Sequence, residues 1–226
     1  MTTARLCWLN SSAEASFPPE PWRLKGTLYV SLWRIRMAEL PVGGLPTGAR
    51  LTTLFGRAVV AAAFAVYETS GDLAYNEVLV AAPIRLGKRF FSTITHIWVD
   101  HPSSSAGARA LWSIPKEPAI FQVSRGPGRT FKAIAAISDG QPIAALHFYS
   151  RLALPGRWRL RGAIAQAPLD PNSGEEVKIT KAQAMGSIAF GAATWNFPRA
   201  GPLRFLSGRK PFVSARLAEM SLCFGN

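Results

Sequence analysis

The chain is 226 residues long, 48% hydrophobic, and carries 26 Lys and Arg against 13 Asp and Glu, a formal net charge of +13. Its longest wholly apolar run, Ala58 to Val66, falls far short of the ~20 residues a membrane-spanning helix requires, so no membrane span is expected. The charge does not mark a specific nucleic-acid partner: basic residues occur singly or in pairs such as Lys88-Arg89 and Arg209-Lys210, without zinc-finger spacing, basic helix or RNA-recognition signature.

Met1 to Arg5 open no signal peptide. Cys7 and Cys223 lie near opposite ends and form neither a CxxC nor a disulfide framework, so a reducing cytoplasm is the expected setting. Pro18-Pro19-Glu20-Pro21 favours an extended surface segment. Thr27 to Ile35 reads as a strand on its Tyr29, Val30, Leu32 and Trp33. A loop follows at Pro41 to Pro46. Val59 to Tyr67 fits a buried strand, although Ala61-Ala62-Ala63 leaves helix open. Thr69 to Asp72 is a turn, and Glu77 to Ala82 and Phe90 to Val99 are strands. Ser103-Ser104-Ser105 caps a short alanine-rich helix over Ser104 to Leu111. Pro115 drives Ile114 out of helical geometry, so Lys116 follows the helix end. Thr130 to Ile137 and Pro142 to Leu152 form an antiparallel hairpin around Asp139-Gly140. Arg157 to Ala165 and Val213 to Phe224 are further strands. This pattern predicts one domain over residues 1–226, a mostly antiparallel β-structure whose sheet must curl or close.

The segment Trp112-Ser113-Ile114-Pro115-Lys116-Glu117 sets one lysine among apolar residues. Burial disfavours an ammonium and lowers its pKa, and a neutral lysine is a nucleophile that forms a Schiff base with a carbonyl carbon. From spacing alone, a surface lysine at a helix C-terminus reads at least as well. Glu77 precedes Val78, Leu79 and Val80, which suggests a buried carboxylate in need of a partner. Other chemistries lack their patterns. His96, His101 and His147 do not have metal-ligand spacing, no Gly-x-Ser-x-Gly is present, and Gly43, Gly44 and Gly48 make no phosphate loop. No metal and no organic cofactor is expected.

Three segments carry a family resemblance: Pro21-Trp22-Arg23-Leu24-Lys25-Gly26-Thr27-Leu28-Tyr29, Tyr75-Asn76-Glu77-Val78-Leu79, and Trp98-Val99-Asp100 through Arg109 and Trp112 to Ile114-Pro115-Lys116. In order and spacing they resemble the acetoacetate decarboxylase-like superfamily, with Glu77 and Lys116 39 positions apart. The resemblance implies a closed, cone-like β-barrel with a few peripheral helices around a substrate cavity. It implies Lys116 as Schiff-base lysine and Glu77 as general acid/base, both facing that cavity. Tyr75 and Trp112 are then substrate-contacting or packing residues, and Arg109 a structural ion-pair partner of Asp100. It also implies self-association into a homo-oligomer.

The chain departs from the family pattern at informative positions. Glu117 replaces the second lysine that helps depress the pKa of the first, Thr27 aligns with an active-site arginine, and Ala62 aligns with a second glutamate. These changes argue against acetoacetate decarboxylation itself and for a more apolar pocket with a larger, less charged ligand. Two readings follow. One is a cofactor-free lyase acting on a keto compound through a Lys116 Schiff base, of decarboxylase or aldolase–dehydratase type. The other is a β-barrel that binds a hydrophobic metabolite and guides its cyclisation or isomerisation without covalent catalysis.

Overall fold

A computed structural model of the chain describes residues 15–41, 45–126, 130–137 and 140–226. The strands are β1 (Trp22–Ile35), β2 (Ala49–Leu51), β3 (Thr53–Leu54), β4 (Arg57–Tyr67), β5 (Asn76–Leu86), β6 (Arg89–Val99), β7 (Lys116–Pro118), β8 (Ile120–Arg125), β9 (Thr130–Ala136), β10 (Pro142–Ala153), β11 (Trp158–Gln166), β12 (Lys178–Asn196) and β13 (Val213–Phe224). One α-helix, α1 (Pro102–Trp112), and two short 3-10 turns complete the described elements. No helix among the described residues is long and apolar enough to cross a membrane.

Seven strands form a ring in the order β11-β6-β5-β4-β1-β13-β12, and β12 pairs back onto β11. Neighbours are antiparallel except at β6–β11 and at the short β6–β7 pairing. The protein is therefore mostly antiparallel β with a ring of strands, as expected. The longest strand, β12, is the branch point. Its first half pairs with β11 and its second half with β10, while β13 runs along its other edge. From β10 the sheet continues through β9 to β8 as a wing outside the ring.

Alternation of side chains then creates two cores. Trp22, Leu24, Tyr67, Ile97, Met220 and Phe224 pack inside the ring. Tyr29, Trp33, Phe64, Val78 and Trp98 point out of the same strands and are covered by Phe131, Ile143 and Phe148 of the wing. Strands buried on both faces read as near-continuous apolar runs, and this is why Val59 to Tyr67 carries no polar–apolar alternation. It is a strand, not a helix. β9 and β10 do form the expected antiparallel pair, although Asp139 of their connection lies outside the described residues, as do Val42 to Gly44 of the 41–46 loop.

Three local expectations are corrected. The helix spans Pro102–Trp112 with His101 as its N-cap residue, and no side chain caps it; the serines lie inside its first turn. β8 and β12 carry no strand assignment from sequence. The β12 sequence is rich in alanine and glycine, residues of low strand propensity. A Cβ at Gly191 would collide with the Tyr149 carbonyl and the Phe148 ring.

The ring is thinnest between β6 and β11, which share a single backbone pairing, Ile164 with Ser92. A side chain completes the seam. The buried Gln166 carboxamide accepts from the Ile94 N–H at 2.7 Å and from Thr93 Oγ1 at 2.9 Å, and donates to the Ile94 carbonyl at 3.0 Å. It acts as one more peptide group in the ladder. Gln166→Leu should therefore leave buried donors and an acceptor unpaired and cost about 2–4 kcal/mol. A fall in the urea midpoint would show this; an unchanged midpoint would mean that the seam closes without Gln166.

Candidate active site

Three devices place Lys116 inside the ring. Ser113 takes a left-handed conformation (φ 53°) at the end of α1, which turns the chain back toward β6. β7 then pairs parallel with β6, setting Lys116 opposite Ile97. The Lys116 carbonyl accepts from Ser105 Oγ at 3.0 Å and Arg109 Nη1 at 3.4 Å, so the helix holds the strand by its backbone. The helix itself approaches Trp22 closely at Gly107, where a Cβ would lie 2.5 Å from the indole. Glu77 arrives from β5, whose start is tied to the end of β6: Asp100 accepts from the Asn76 N–H at 2.6 Å and Nδ2 at 2.7 Å.

Lys116 and Glu77 meet at 2.8 Å, each side chain 5% exposed. Lys116 Nζ also donates to Ser104 Oγ at 2.9 Å and Tyr75 Oη at 3.2 Å, and lies 4.7 Å from the Tyr75 ring centre. Tyr67 stands beside Glu77. These groups occupy one end of a cavity of about 190 Å³ to which all seven ring strands contribute. The rest of its lining is apolar, with Trp22, Trp112 and Phe224 forming an aromatic wall; Trp112 meets the other two edge-on at 4.6 Å. Trp112 Nε1 is satisfied outside the cavity by Glu20 at 2.7 Å.

The electrostatics reverse the expectation for Lys116. Burial alone would push its pKa down, but the Glu77 carboxylate, reinforced by Tyr75, outweighs burial and raises it above the usual lysine value. The resting site is an ammonium–carboxylate pair. Glu117 is not the cause: it is exposed, on the opposite face of β7 from Lys116. Burial pushes Tyr75 up to about 12 against the opposing pull of Lys116, and burial with Glu77 beside it raises Tyr67 well above the usual tyrosine range. Both phenols are therefore protonated donors around neutrality.

The cavity thus brings together all four expected residues, Lys116, Glu77, Tyr75 and Trp112. Tyr67 and Ser104 were missed. The signal for Tyr67 was the strand register: Ala65 pairs with Glu77, and Tyr67, two positions on, shares its face. Ser104 was read as a cap, whereas it lies two residues inside the helix. Arg109 is held by the Lys116 carbonyl, and Asp100 is engaged by Asn76, so the expected Arg109–Asp100 pair is replaced by two separate braces. Neither Thr27 nor Ala62 lines the cavity; Ala62 packs in the core under the wing. The apolar character of the pocket does not come from those two positions. Among the described residues no group of three or more His, Cys, Asp or Glu is gathered to hold a metal ion.

The family profile described as "Acetoacetate decarboxylase (ADC)" matches residues 15–166. The chain belongs to the acetoacetate decarboxylase family. No curated protein matches it in sequence. Among solved structures, it is similar to acetoacetate decarboxylase from Legionella pneumophila subsp. pneumophila str. Philadelphia 1, with TM-score 0.75 and 16% identity over 93% of this chain and 87% of that one. It is similar to an acetoacetate decarboxylase-like enzyme from Sphingomonas wittichii RW1, with TM-score 0.63 and 17% identity over 94% of each chain. It also resembles the enduracididine biosynthesis enzyme MppR, complexed with the condensation product of pyruvate and imidazole 4-carboxaldehyde. That match has TM-score 0.67 and 14% identity over 94% of this chain and 90% of that one. At these identities the likeness is one of fold, within a family of lyases and related enzymes.

A buried pair is costly to break and cheap to replace whole. Lys116→Met, which leaves the Glu77 carboxylate without its cation, should destabilise the protein by about 3–5 kcal/mol. The double variant Lys116→Met/Glu77→Leu should recover most of that loss. Urea denaturation of the set gives the comparison, and a single variant as stable as the parent would show that the pair is not isolated from water.

Proposed function

We propose that the protein is a cofactor-free lyase that acts on a keto compound through a Schiff base on Lys116, with Glu77 moving the protons. The observation that carries this reading is the buried Lys116 amine at the polar end of an otherwise apolar cavity, within hydrogen-bonding distance of a carboxylate, a phenol and a serine. The family supports it: acetoacetate decarboxylase and MppR, which carries a pyruvate-derived condensation product, share the fold.

The raised pKa of Lys116 defines the first step. A bare ammonium cannot attack a carbonyl, so the proton passes along the 2.8 Å hydrogen bond to Glu77 as the substrate arrives. The free amine adds to the carbonyl carbon, and Tyr75 and Ser104 lie where they can donate to the developing oxyanion. Glu77 returns the proton as the hydroxyl leaves as water, giving an iminium beside a carboxylate. The charge of the pair is the same at the start and at the end of this sequence, so the cavity never holds an unpaired ion. The iminium then withdraws electrons from the adjacent carbon, and Glu77 takes or returns a proton there.

The ion pair also favours a second reading. A lysine held as an ammonium by Glu77 and Tyr75 can serve as a fixed positive charge in a barrel that binds a hydrophobic metabolite and directs its cyclisation or isomerisation without covalent catalysis.

Borohydride trapping with a panel of carbonyl compounds, followed by mass mapping, separates the two. Lys116→Ala and Lys116→Arg should both abolish trapping and turnover, because arginine keeps the charge but forms no imine. Turnover by Lys116→Arg would select the non-covalent reading. The trapping rate of the parent protein should climb through neutrality into the alkaline range, as the amine fraction grows toward a raised pKa. Glu77→Gln removes the group that raises it and leaves the downward push of burial, so the profile should move to lower pH while turnover falls. A profile that stays in place would place the control of the Lys116 pKa elsewhere.

A further inference from the structure

Resting on the Schiff-base reading of the same site, we infer that the substrate is an electrically neutral, compact carbonyl compound with a branched or ring-shaped apolar body, and not a keto acid.

The first argument is charge. The groups that line the cavity include one cation, Lys116, and one anion, Glu77, and these are bonded to each other. Tyr67 and Tyr75 add neutral phenols to the lining and no compensating cation. Among the described residues, no arginine and no histidine belongs to the lining. A keto acid would bring a second carboxylate into this space. The imine step does not help, because an iminium beside Glu77 carries the same net charge as the original pair. Until carbon dioxide left, the cavity would hold an uncompensated anion among Leu24, Leu28, Leu79, Ile94 and Ile97, which an apolar interior strongly disfavours.

The second argument is volume. A dry apolar cavity of roughly 150 Å³ accepts benzene. At about 190 Å³, this cavity admits a body only slightly larger. The aromatic wall of Trp22, Trp112 and Phe224 gives such a body a surface to pack against. The ligand is therefore less charged than a keto acid, as the sequence implies, but small where a larger one was expected.

Together these limits choose among the lyase reactions. Without a carboxylate to lose, the carbon–carbon bond within reach of a Lys116 iminium is that of a β-hydroxy ketone. Glu77 takes the hydroxyl proton and the oxygen becomes the carbonyl of a departing aldehyde or ketone. The electrons of the broken bond flow to the iminium nitrogen, giving an enamine. Glu77 returns its proton to the enamine carbon, and water then hydrolyses the imine to free Lys116 and the second carbonyl product. No oxidant, reductant or further reactant enters the balance.

A matched pair of probes tests the inference. 4-Methylpentan-2-one and 4-methyl-2-oxopentanoate share an isobutyl body, and differ in a methyl against a carboxylate beside the carbonyl. Pyruvate and acetoacetate serve as keto acids small enough to remove size as a cause. Borohydride should trap 4-methylpentan-2-one on Lys116 at least about tenfold faster than any of the three acids. Equal or faster trapping of the acids would overturn the neutral-substrate inference while leaving the Schiff base standing. Binding of 4-methylpentan-2-ol, which has no carbonyl, is measured separately by titration calorimetry against 4-methylpentanoate. Preference for the alcohol with no probe trapped would uphold the neutral occupant and remove the Schiff base. Absence of both binding and trapping would overturn the inference. Ala184→Phe, which fills the cavity from β12, should abolish binding of the alcohol; unchanged binding would place the ligand elsewhere and also overturn it.

Discussion

The ion pair between Lys116 and Glu77 is the constraint around which the interior is arranged. Taking two opposite charges out of water costs several kcal/mol per ion, and their attraction offsets this only when the geometry is good and the remaining donors and acceptors are satisfied. Here they are. Lys116 has Glu77, Tyr75 and Ser104 as partners, and Glu77 has Lys116, with the Tyr67 phenol beside it. That requirement explains features that otherwise look unrelated: why α1 presses close enough on the ring to deliver Ser104, why Ser105 and Arg109 hold the Lys116 backbone, and why Asp100 fixes the start of β5 one residue before Glu77. Each is a means of holding one half of the pair where the other half can reach it.

The scaffold divides its labour in the same terms. The wing of β8, β9 and β10 covers the outer face of the ring and buries the larger aromatic core. The ring keeps an apolar space inside it. The weakest part of that ring is the β6–β11 seam, closed by one backbone pairing and the Gln166 carboxamide. It borders the cavity at Ile94 and Ile164, and a surface cleft lies against it at Ile94, Thr95 and Gln166.

Much of this was legible in the sequence, for identifiable reasons. Lys116 stood out because Pro115 ends a helix just before it and apolar residues flank it; Glu77 stood out because it opens a strand of valines and leucine. Their order and spacing matched the family pattern, and it was that resemblance that implied a shared cavity. What failed was everything that depends on which residues face each other across strands. Glu117 stands where the family has its second lysine and is adjacent to Lys116 in sequence, but adjacent residues of a strand point to opposite faces. The carboxylate that governs Lys116 comes from 39 positions away, through the β5–β6–β7 pairings. Ala62 was weighed as a pocket residue for the converse reason: it aligns with a functional position, but on this strand its face belongs to the other core. β12 escaped notice because its alanines and glycines have low strand propensity, and the close approach of neighbouring strands at Gly186 and Gly191, where a Cβ would collide, is visible only in the structure.

The inverted pKa of Lys116 leads to a last physical point. A buried lysine without a partner would sit in the cavity as a neutral amine, always reactive toward any carbonyl compound that entered. A buried lysine paired with Glu77 is masked, and the amine is released only when the proton moves along the hydrogen bond that binds the two. Tyr75 and Ser104 accept hydrogen bonds from the Lys116 ammonium through their oxygens, so their own hydroxyl hydrogens remain to be offered to an entering carbonyl group. A charged ligand would instead stabilise the ammonium by adding a second carboxylate beside it. On the proposed reading, a neutral ligand leaves the proton free to pass from Lys116 to Glu77, whereas a second carboxylate would hold it on the ammonium.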